Sequence, residues 1–94
     1  MNAVEVSRAC DELHHAVDQG PGPNPGVHGT SLSIISHLKR AAAWDYPVRL
    51  LSELELLIAP WFRAQCPHED EPACRNALLE LISKIEDGWE RPRD

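Results

Sequence analysis

Between residues 2 and 19 the apolar positions Val6, Cys10, Leu13 and Val17 recur at intervals of four, three and four. That repeat gathers side chains into one stripe of a 3.6-residue helix. Asn2 followed by Glu5 has the N-x-x-E spacing of a capping box at its start, and Gly20 before Pro21 reads as its stop. A second helical pattern opens at Thr30 or Ser31 as cap and ends near Trp44. It carries Ile34, Ile35, Leu38, Ala41 and Ala42 on one side and Ser33, Ser36, Lys39 and Arg40 on the other. Between the two, residues 20–29 hold four Gly and three Pro, so a long loop is expected there.

Asp45-Tyr46-Pro47 reads as a tight connection, with Asp45 as cap and Pro47 in the first turn of a third helix, where its missing N–H is no loss. So short a link makes the second and third helices antiparallel neighbours. The third helix, residues 47–65, has two adjacent stripes, one of Leu50, Leu54, Leu57 and Trp61, the other of Leu51, Ile58 and Phe62. An apolar arc this wide suits a central bundle helix or one that packs on its own domain and on a second molecule. Pro60 is expected to kink or break it. After a turn at 66–72, a fourth helix over 72–87 aligns Cys74, Leu78, Leu81 and Ile85, with Ala77 and Ile82 flanking, until Gly88 ends it before a short tail at 89–94. Arg49/Glu53, Glu71/Arg75 and Glu80/Lys84 are spaced for i,i+4 pairs. With no β-alternation and no internal repeat, the pattern predicts an all-α, four-helix bundle-like domain spanning residues 1–94.

Length and charge narrow the function. A chain of 94 residues has room for one core and a thin stability margin, which oligomerisation would supplement. The net charge of −6 is uneven: residues 1–29 sum to −3, residues 30–65 to +1 and residues 66–94 to −4. Phosphate backbones are repelled by that balance, so direct nucleic-acid binding is not expected. No stretch has the roughly 18 apolar residues of a membrane span, and the N-terminus lacks a leader pattern. An odd cysteine count, Cys10, Cys66 and Cys74, fits reduced thiols better than a disulfide framework. A cytoplasmic protein is expected on these grounds.

Candidate chemistry is sparse. Cys66, His68 and Cys74 form C-x-H-x5-C, to which His28 or His37 could add a fourth zinc ligand. The spacing matches no standard knuckle, and Cys74 shares the apolar stripe of the fourth helix, so a core thiol is the stronger reading. Asp11, His15 and Asp18 share one helical face as a possible acid/base or metal-binding row, a pattern that more often marks a solvated surface. Prolines among the glycines of 20–29 remove the N–H donors a phosphate nest needs. A helix-turn-helix would present Leu and Glu to DNA. No metal and no cofactor are expected.

The aromatics remain. Trp44, Tyr46, Trp61, Phe62 and Trp89 all lie at or near helix ends, where they either close the bundle or serve as rigid anchors for a partner. The expectation is a small acidic regulatory protein, of inhibitor, antiactivator or immunity type, that binds another protein through Trp44, Leu51, Ile58, Trp61 and Phe62 and forms a homodimer through its third helix. The alternatives are an all-α metal protein or enzyme built on the Cys/His cluster or the His/Asp row, and an acidic nucleic-acid mimic. The general profile of short, acidic and helical, without catalytic signatures, is similar to that of phage-encoded inhibitors of host machinery, a likeness of size and charge alone.

Overall fold

The computed structural model describes residues 1–63 and 71–92. Four helices carry the chain: α1 (Ala3–Asp18), α2 (Pro25–Ala41), α3 (Asp45–Trp61) and α4 (Glu71–Asp87), and no strand occurs among the described residues. The Asn2 side chain accepts the Glu5 N–H at 2.9 Å, as the capping spacing predicts.

Helix α2 starts earlier than its apolar pattern implies, so the Gly/Pro loop ends at residue 24. The Asn24 side chain accepts the Val27 N–H at 3.2 Å, and Pro25 occupies the first helical position, where its fixed φ favours the turn. Thr30 and Ser31 are therefore interior residues. Their hydroxyls donate back to the carbonyls of Gly26 and Val27 at 3.0 and 2.9 Å, an arrangement that leaves a buried Ser31 satisfied. Asp45 likewise stands inside α3, the cap position falling to the extended backbone of Trp44. Pro60 lies in the last turn of α3, which closes at Trp61 and does not reach residue 65 as a described helix.

Consecutive helices run antiparallel. α2 returns along α1, so that Gly26 and Thr30 share a groove with Gln19 and His15. Next, α3 returns along α2, which brings the His28 ring to 5.8 Å from that of Phe62. Helix α4 then completes the ring, packing on both α3 and α1. A four-helix bundle results, with the interior at the meeting of all four stripes: Val6, Cys10, Leu13 and Val17 from α1; Ile35 and Leu38 from α2; Leu51, Leu54, Ile58 and Trp61 from α3; Leu78, Leu81, Ile82 and Ile85 from α4. Across the seams, Lys39 pairs with Glu55 at 2.5 Å and Arg75 pairs with Asp18. Of the predicted i,i+4 pairs, Glu80 and Lys84 meet at 3.3 Å.

Each end of the bundle is closed by tryptophan. At one end Trp61 donates its Nε1–H to the Val17 carbonyl at 2.9 Å, and the Trp61 carbonyl accepts the Gly22 N–H at 3.0 Å. At the other, Trp44 shares its Nε1–H between the carbonyls of Gly88 and Trp89, both at 3.2 Å, and stacks obliquely on Tyr46. Trp89, placed by the sequence reading in a tail, is buried against the core.

Candidate functional site

The wide apolar arc of α3 resolves into two parts. Leu51 and Ile58 are 0% exposed, Trp61 1% and Phe62 4%, so four of the five expected contact residues are spent inside a single copy of the chain. Closely packed side chains of this kind reach a partner only if the bundle opens. Trp44 is half-buried, with its indole N–H committed to the end of α4. The expected contact surface on Leu51, Ile58, Trp61 and Phe62 is thus corrected: bundle closure claims these residues, because α2 and α4 flank α3 on both sides and leave only its outermost strip uncovered.

That strip carries Leu56, 75% exposed, and Leu57, 44% exposed. Beside Leu57 an apolar groove of about 180 Å³ runs between α3 and α4, with Pro60, Cys74 and Ala77 along its walls and the edges of Trp61 and Leu78 as its floor. Small residues on α4 make the groove. Ala77 and Cys74 stand where longer side chains would fill the space over Leu57 and Pro60. The groove continues toward Glu53, Glu80 and Lys84, and Arg63 is exposed just past the end of α3. An adjacent pair of large exposed aliphatics beside an apolar cleft is a feature that most small domains avoid, since it favours association.

The pattern held a signal for this site. Leu56 belongs to neither stripe of α3; it lies between Glu53 and Pro60, on the side a solitary helix would turn to water. An aliphatic residue outside both stripes is not explained by the core.

Cys74 is exposed, which corrects its assignment to the core stripe of α4: the chain of contacts there runs through Leu78, Leu81, Ile82 and Ile85 instead. Cys66 and His68, the other members of the expected C-x-H-x5-C cluster, lie outside the described residues. Among the described residues no three His, Cys, Asp or Glu side chains gather as metal ligands. Asp11, His15 and Asp18 are all exposed on α1, and Asp18 is engaged by Arg75. Cys10 is fully enclosed, and burial, with the charges of Glu86 and Asp11 adding to it, pushes its thiol up to about 12. A thiol so held is not a nucleophile at neutral pH. No helix among the described residues is long and apolar enough to cross a membrane.

Against protein-family models, curated proteins and solved structures alike, the chain finds no match.

Proposed function

We propose that this protein acts by occupancy, as a small regulatory protein whose Leu56/Leu57 face docks on an apolar surface of another protein. The observation that supports this reading is the exposure of two successive leucines, one of them lining an apolar groove, on a helix that encloses Leu51, Leu54, Ile58 and Trp61. Burying such a pair is worth roughly 3 to 5 kcal/mol at about 25 cal/mol per Å² of apolar surface, enough to anchor a contact whose rim is polar. The surrounding carboxylates, on a chain of net charge −6, favour encounter with a basic partner. A docking surface of this kind fits the inhibitor, antiactivator or immunity class.

Affinity capture from the native host with the wild-type chain and with L56D/L57D, run side by side, tests the proposal. Both leucines are solvent-exposed, so the variant keeps its fold, checked by circular dichroism. A partner retained by the wild type in high salt and lost with the variant is the expected result. Retention by both proteins, with release by salt alone, would favour the acidic mimic, in which carboxylates stand in for phosphates.

A further inference from the structure

We draw no further inference here: the strongest candidate, the apolar groove between α3 and α4 bordered by Leu57, Pro60, Cys74 and Ala77, belongs to the site already described, and nothing in the structure shows what covers it.

Discussion

Gly20 and Gly88 occupy the positions at which a sequence reader expects helix-ending glycines, yet neither has the left-handed backbone that would demand one. What requires them is an aromatic ring. A Cβ at Gly20 would collide with the indole Nε1 and Cδ1 of Trp61, and one at Gly88 with the ring edge of Tyr46. Gly20→Ala should therefore lower stability by about 1 to 3 kcal/mol, read as a shift in the urea midpoint. In a Trp61→Phe background, where the Nε1 atom is gone, the same substitution should cost distinctly less. Equal costs in both backgrounds would place the penalty in the loop and not in the ring. The location of these glycines was legible from residue type, but their cause was not, because the ring arrives from a helix some forty residues away in sequence. Thr30 and Ser31 misled for a related reason: a hydroxyl that bonds back to the preceding turn and one that caps a helix have the same composition.

At the level of helices, the stripes of α1 and α2, and that of α4 apart from Cys74, indicate which faces turn inward, and the shortness of the link before Pro47 indicates the antiparallel pair, although Asp45 and Tyr46 themselves belong to α3. The start of α2 was obscured by its own glycines, which suit a loop and are tolerated here because Asn24 and Pro25 set the first turn. Trp89 was obscured because it follows a stop signal, and nothing local marks it as a core residue. Its burial makes a prediction. Trp89→Ala should destabilise the bundle by about 2 to 3 kcal/mol, while Glu90→Ala, one residue on and exposed, should stay within about 0.5 kcal/mol. Similar melting temperatures for the two variants would return Trp89 to the solvent. Of the site, Leu57 belongs to a stripe and Leu56 to none, and periodicity ranks residues by one face and is silent about apolar residues on the other.

At the scale of the whole molecule, the Cys10 thiol is an ionisable group fully enclosed in the core. In the unfolded chain the Cys10 thiol ionises near its ordinary 9.0, but in the fold it holds its proton up to about 12. Over that window the unfolded state releases a proton that the native state retains, so stability falls as pH rises from about 9 toward 12. Below 9 this contribution is constant. Urea unfolding of the wild type between pH 8 and 10.5 should show a steeper alkaline decline than Cys10→Ala, and parallel profiles would mean the thiol is not sequestered.

Around the bundle the order of the helices is also their order along the chain, so that three of the four main seams join consecutive helices and the fourth sets α1 against α4, the two furthest apart in sequence. Each of the first three joins helices fewer than ten residues apart in the chain, so bringing them together carries little entropy. Topologies dominated by such nearby contacts reach the native state in roughly microseconds to milliseconds. The seam that holds Asp18 to Arg75 and brings Val6 beside Trp89 demands the longest chain excursion and has the most to lose in any partial opening. That seam accordingly orders the most chain for its contacts, whereas only three residues separate α2 from the α3 helix that bears Leu56 and Leu57.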